Sequence, residues 1–146
     1  MTLLAAVVLA CAGWFEPAPS THPLPVVSHD VQALRSLAPL PERVEEVSWV
    51  YAPIGTPGLL GPTDYKLSAW VTGEVTLAET EALYGSDGEL GLWRVDTQGV
   101  LPPVGSFQVD KDGNVSIRGT AYAQDGPMLT RVIVGSEGIW IEGMTR

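Results

Sequence analysis

The segment 65–72 constrains the fold more than any other stretch of the chain. Tyr65, Leu67, Ala69 and Val71 alternate with Lys66, Ser68, Trp70 and Thr72. That two-residue period belongs to a strand whose two faces meet different surroundings, and a helix would scatter the same side chains around its circumference. The texture returns at 47–51, 90–95, 104–109, 114–118, 128–134 and 139–142, each a short run rich in β-branched, aromatic or other apolar residues. Sixteen glycines and twelve prolines punctuate these runs. Pro57-Gly58, Gly61-Pro62, Gly85-Ser86-Asp87-Gly88, Thr97-Gln98-Gly99 and Gln124-Asp125-Gly126-Pro127 all read as turns or loops. Gly73 reads as a bulge, after which Val75 and Leu77 resume the strand. Seven or eight short strands with turns every 8–12 residues predict an all-β fold, an antiparallel β-sandwich or small barrel.

Three short pieces break the β texture. Asp30 before Val31, Leu34 and Leu37 predicts a capped helix over 31–37, stopped by Pro39 and Pro41. Residues 41–46, with acids near their start, suit one more helical turn, and 78–84 suit a single turn crossing between sheets. No internal repeat and no strand–helix alternation of the kind that builds a parallel sheet occurs.

The N-terminus carries a different message. An apolar run over 3–10 ends in Ala10 and meets Cys11, the single cysteine of the chain. Roughly ten residues are too few to span a bilayer, which needs about 20. The run resembles the lipobox of bacterial lipoproteins, with Val8, Leu9 and Ala10 in the three positions before Cys11. The resemblance implies cleavage before Cys11, a diacylglyceryl group on its thiol, and anchoring of the chain in the cell envelope. No Lys or Arg precedes the run, so a start upstream of Met1 is expected. Two rival readings stay open: cleavage after Ala12 at the pattern Ala10-Cys11-Ala12, which would release a secreted protein without the cysteine, and a buried apolar segment of a cytosolic protein. Behind Cys11, Pro17, Pro19, Pro23 and Pro25 stand among small and polar residues. Proline excludes helix and central strand there, so the segment reads as an extended tether of about 3 Å per residue, on the order of 40 Å. Trp14 and Phe15 stand at its membrane end, either as linker residues or seated among headgroups. The expected organisation is a signal segment over 1–10, a tether with its short helix over 11–45, and a β-sandwich domain over 46–146.

Charge and motif content exclude several functions. Seventeen acids against eight bases give a net charge of −9, scattered along the chain. Nucleic acid requires a basic face, and anionic headgroups repel such a surface. Asp110-Lys111-Asp112-Gly113-Asn114 matches the start of a calcium-binding loop, making Asp110, Asp112 and Asn114 weak metal candidates. Val115 then stands where such a loop needs glycine, and Ala121 where it needs a bidentate carboxylate. A hairpin turn explains the same residues. His22 and His29 are the only histidines, too few for a zinc site. No nucleophile elbow, phosphate loop or dinucleotide fingerprint occurs, and adjacent acids such as Glu45 and Glu46 read as a solvated face. The expectation is therefore a protein that is not an enzyme and carries no cofactor. Trp70, Trp93 and Trp140 are the remaining signal: on one outer sheet face they would form an aromatic platform for a glycan or peptide, and otherwise they fill the core.

One further resemblance is carried by Leu90-Gly91-Leu92-Trp93-Arg94-Val95-Asp96, Pro102-Pro103-Val104-Gly105-Ser106-Phe107 and Asp110-Lys111-Asp112-Gly113-Asn114-Val115. These stretches look like the extracytoplasmic domain of anti-sigma-K factors. The likeness covers about thirty residues of generic hairpin chemistry and implies a β-sandwich in the envelope, without the sigma-binding segment. The function expected from sequence is that of an envelope lipoprotein whose β-sandwich binds a protein or cell-wall partner. The alternative is a glycan- or peptide-binding module using exposed tryptophans.

Overall fold

The computed structural model describes residues 26–54, 64–125 and 128–145. Cys11, His22 and the whole predicted signal and tether up to Pro25 lie outside them, as does the predicted loop at 55–63. Among the described residues seven strands form one antiparallel sheet: β1 (Glu46–Ile54), β2 (Asp64–Thr72), β3 (Glu89–Val95), β4 (Gln108–Val109), β5 (Val115–Gln124), β6 (Met128–Val134) and β7 (Ile139–Thr145). The spatial order is β1-β2-β7-β6-β5-β3, with the short β4 also on β5. Among the described residues the sheet is open: β1 and β3 end its main path, and they do not pair to close a barrel.

Alternation along the strands puts a core on each face. On the first, Val47, Leu67, Ala69, Val71, Tyr122, Val132, Ile139 and Ile141 pack together. They are covered by α1 (Val31–Arg35), by the turn that follows it, and by α2 (Leu77–Tyr84). On the second face Val50, Ala52, Trp70, Ile133 and Trp140 meet Val95, Val100, Val115 and Ile117. That contact requires the sheet to bend over itself, because β1 and β3 are opposite edges of it.

The bend is localised in β5. Its residues Thr120 to Gln124 pair with β6, whereas Val115 and Ser116 pair on the same side with β4. Between them, Gly119 passes so close to β6 that a Cβ there would lie 2.8 Å from the carbonyl carbon of Val134. Only glycine permits this approach. Gly91 of β3 stands directly opposite Gly119, and the indole of Trp93 lies over that pair of glycines, donating from Nε1 to the carbonyl of Gly119 at 3.1 Å. The ring supplies the surface that two glycines lack.

Several sequence expectations are corrected. The domain begins before residue 46: Leu34, Ala38 and Leu40 are core residues, so 28–45 belongs to the fold rather than to a tether. Asp30 caps α1 as predicted, its Oδ1 accepting from the Ala33 amide at 3.0 Å. Residues 41–45 are not helical; the carbonyls of Leu40, Pro41 and Glu42 instead receive the guanidinium of Arg35. No strand resumes after Gly73, since Thr76 caps α2 and Leu77 is its first residue. The predicted strand over 104–109 shrinks to Gln108–Val109, because Pro103 to Ser106 form a turn. β5 runs six residues past the predicted end at Arg118, to Gln124.

Candidate functional site

Edge strands expose backbone donors and acceptors, and folded proteins seal them. The edge at β1 is sealed over its first half. Ser28 and Trp49 exchange both backbone hydrogen bonds, at 2.8 and 3.0 Å. The imidazole Nδ1 of His29 bonds the carbonyl of Val47 at 2.9 Å. Trp49 Nε1 donates to Asp30 O at 3.0 Å, and Pro53, at another outward position, has no N–H to leave free.

The edge at β3 is sealed only at its C-terminal end. Asp110 N donates to Asn114 O, so even-numbered residues of β5 turn their backbone groups toward β4 and odd-numbered ones toward β3. Odd-numbered residues of β3 answer them, which leaves the groups of Leu90, Leu92 and Arg94 pointing outward. Side chains from the second face of the sheet take the far end. Arg131 donates to Arg94 O at 2.6 Å. Glu142 Oε1 accepts from Asp96 N at 2.8 Å, and Ser68 Oγ donates to Asp96 O at 2.8 Å. Lys66 pairs with the Asp96 carboxylate, Arg131 with Glu142, and Gln98 Nε2 donates to Ser68 Oγ. Three strands thus contribute side chains to a polar clamp that stands in for a missing neighbour of β3.

The clamp explains the electrostatics. The Lys66 ammonium holds the Asp96 carboxyl below the usual carboxylate range, outweighing its partial burial. Asp110 is displaced the same way, by the Asn114 amide and side chain that it accepts. Both acids are thereby kept ionised as fixed acceptors, the opposite of what proton transfer near neutral pH requires. Tyr84 is shifted upward by burial, and its hydroxyl donates to Pro39 O at 2.9 Å.

What stays open is the stretch from Glu89 to Trp93. Leu90 and Leu92 stand on its outer face, 74% and 48% exposed. Among the described residues no strand other than β5 pairs with β3, and no proline or lysine guards this stretch.

The residues predicted from sequence fall elsewhere. Trp70 and Trp140 face each other across β2 and β7 in the second core, 4% and 0% exposed. They form no platform on an outer face, because the bend of β5 has closed over the face they share. Trp140 Nε1 is buried with no hydrogen-bond partner among the described residues. Trp93 is half-buried over the glycine corner. The platform expected for a glycan is therefore replaced by core packing. Asp110 accepts the amides of Asp112 and Asn114 at 2.8 and 2.9 Å, and Gly113 takes φ +84° between them. These residues form the hairpin turn between β4 and β5. No group of three or more His, Cys, Asp or Glu able to hold a metal occurs among the described residues.

A cavity of about 380 Å³ opens where β5 changes partner, between the segment Gly105 to Gln108 and the β6–β7 turn at Gly135 to Glu137. Its floor is formed by Trp70 and Ile117, and Ser106 closes one side through a hydrogen bond to Glu137. Sequence reasoning placed Leu90 and Leu92 on a strand but missed that this strand is an edge. The signal was in the alternation: Leu90 and Leu92 lie on the face opposite Trp93 and Val95, both of which pack on the core.

Comparisons with protein-family models, with curated proteins and with solved structures find no match. Among the described residues, no helix is long and apolar enough to cross a membrane.

Proposed function

We propose that this chain is a non-catalytic lipoprotein of the bacterial envelope, held by a lipid on Cys11, whose β domain binds another polypeptide by adding a strand to the open stretch of β3. The observation that carries the reading is the contrast between the two edges. β1 is capped at Val47 and Trp49 by the segment 28–30, and β3 is clamped at Arg94 and Asp96, yet among the described residues nothing covers the two leucines and their backbone groups between Glu89 and Trp93. Strand addition supplies backbone hydrogen bonds for affinity and alternate side chains for specificity, which is what this stretch offers. The lipobox-like run ending at Cys11 supports the location, and the prolines behind it support a spacer between lipid and domain. The Asp96 carboxylate, held below the usual range by Lys66, supports a binding role over a catalytic one.

The test is a photo-crosslinking residue placed at position 92 and, as a control, at Leu77, an exposed leucine on α2. In intact cells carrying the full chain, position 92 is expected to give a discrete protein adduct and position 77 none. Adducts of equal yield at both positions, or none at 92, contradict the reading.

A further inference from the structure

The open stretch of β3 is short, and its shortness selects a partner. Leu90 and Leu92 have both outward backbone groups unengaged in the described structure, whereas the third outward residue, Arg94, has only its N–H free because its carbonyl already accepts from Arg131. An incoming strand therefore needs two hydrogen-bonding positions, two residues apart, and a clear crossing between them. β3 itself has this pattern.

We propose that a second copy of this chain is the occupant, pairing β3 antiparallel with its own β3 about a two-fold axis at Gly91. This rests on the strand-addition reading above and names the partner. In an antiparallel pair, directly opposed residues lie on the same face and opposed hydrogen-bonding residues exchange both bonds. Centring the pair on Gly91 sets Leu90 against Leu92 of the second copy and Leu92 against Leu90. The outward groups of Leu90 and Leu92 are then all used in both copies. The neighbouring register, centred on Leu92, would set Leu90 against Arg94, whose carbonyl is already engaged. Centring on Leu90 would leave Leu92 facing Gly88, beyond the strand.

Side chains favour the same register. Four leucines meet as one apolar cluster on the outer face, covering surface that each copy alone exposes. The two glycines meet at the non-hydrogen-bonded position, where the backbones approach most closely and no Cβ intervenes. Arg94 of each copy falls opposite Gly88 of the other, so no side chain stands against it and its hydrogen bond to Asn114 Oδ1 is undisturbed. The symmetry is that of an isologous dimer, the commonest closed assembly. Some five residues a side make a small interface, so the dimer is weak in dilute solution.

The experiment uses the full chain with Cys11→Ala, leaving no native thiol. Sedimentation across roughly 1 µM to 1 mM is expected to show a reversible monomer–dimer equilibrium, which Leu92→Lys weakens by about tenfold or more. Register is read by disulfide trapping: Leu90→Cys mixed with Leu92→Cys forms the cross-linked dimer under mild oxidation, while Leu92→Cys alone does not. Hydrogen-bonded antiparallel pairs have Cα atoms about 5.5 Å apart, within disulfide reach. A chain that stays monomeric throughout, a dimer indifferent to Leu92→Lys, or cross-linking by Leu92→Cys alone overturns the proposal. If the chain is monomeric while position 92 still yields an adduct with another protein in cells, the dimer fails and the strand-addition reading stands.

Discussion

Gly119→Ala is the sharpest perturbation of the fold, because one added methyl group falls on the hinge of the sheet. The new Cβ would lie 2.8 Å from the carbonyl carbon of Val134 and 3.0 Å from Ile133 Cγ2, where ordinary contact begins at 3.4 Å. Relieving the first contact alone moves β5 away from β6 by about 0.6 Å, the difference between 3.4 and 2.8 Å. Backbone atoms of a paired strand cannot rotate aside as a flexible side chain would. Overpacking of this kind costs about 1–3 kcal/mol, and the strained Thr120–Val134 pair places the expected loss toward the upper half of that range. The smaller conformational freedom of alanine in the unfolded chain returns about 0.4–1 kcal/mol, so the net destabilisation is about 2 kcal/mol. For a domain of this size that lowers Tm by about 8 °C and the urea midpoint by about 1 M. Thermal and urea unfolding followed by tryptophan fluorescence measure it directly. The comparison is Gly113→Ala, at φ +84° with no heavy atom within 4 Å of the added carbon, where left-handed strain alone costs about 1–2 kcal/mol. A Gly119→Ala protein within about 0.5 kcal/mol of the parent would refute the claim that close approach at this glycine bends the sheet.

Four other outcomes follow from the same geometry. Asp30→Ala removes the α1 cap and costs about 1 kcal/mol by urea titration, with faster exchange of the Trp49 amide because Ser28 is loosened beside it. Arg131→Ala frees the carbonyl of Arg94 and unpairs Glu142; a loss of about 1–3 kcal/mol is expected, read as a lower urea midpoint. Asp96, whose folded pKa is lowered by Lys66, contributes stability that is present above its unfolded pKa of about 3.9 and lost as pH falls through the folded value. Urea midpoints measured from pH 6 downward should therefore fall below about pH 4, and less steeply in Asp96→Asn. Leu92→Lys, at a half-exposed position, changes stability by no more than about 0.5 kcal/mol, so any effect on association is not an unfolding effect.

The strand content was legible because local patterning and burial agree. β2 came within a residue of its observed bounds because its alternating residues pack against cores on both faces. The extent of β5 was not legible: Gly119, Ala121 and Ala123 carry little strand propensity, and pairing with β3 and β6 holds them extended. The helical turn expected at 41–46 failed because Arg35 captures the carbonyls there and Glu45 N already bonds Thr72 O. Leu34, Ala38 and Leu40 read as tether because five residues of helix give too short a period to reveal a buried face. The tryptophans misled for a related reason. Trp70 alternates with apolar neighbours as an outward residue would, and only the bend at Gly119 turns its face into a second interior. That bend depends on contacts between β5 and β6, which no local window contains.

The claim that β3 is open between Glu89 and Trp93 is tested most directly by amide hydrogen exchange, resolved by residue, on the full chain with Cys11→Ala at low concentration. The backbone amides of Leu90 and Leu92 are expected to exchange freely in the monomer while that of Trp93, turned toward β5, is protected. On concentrating the protein, protection should appear at Leu90 and Leu92 together. Strong protection of both amides already in the dilute monomer would mean that the edge is covered within the chain itself and would contradict the account.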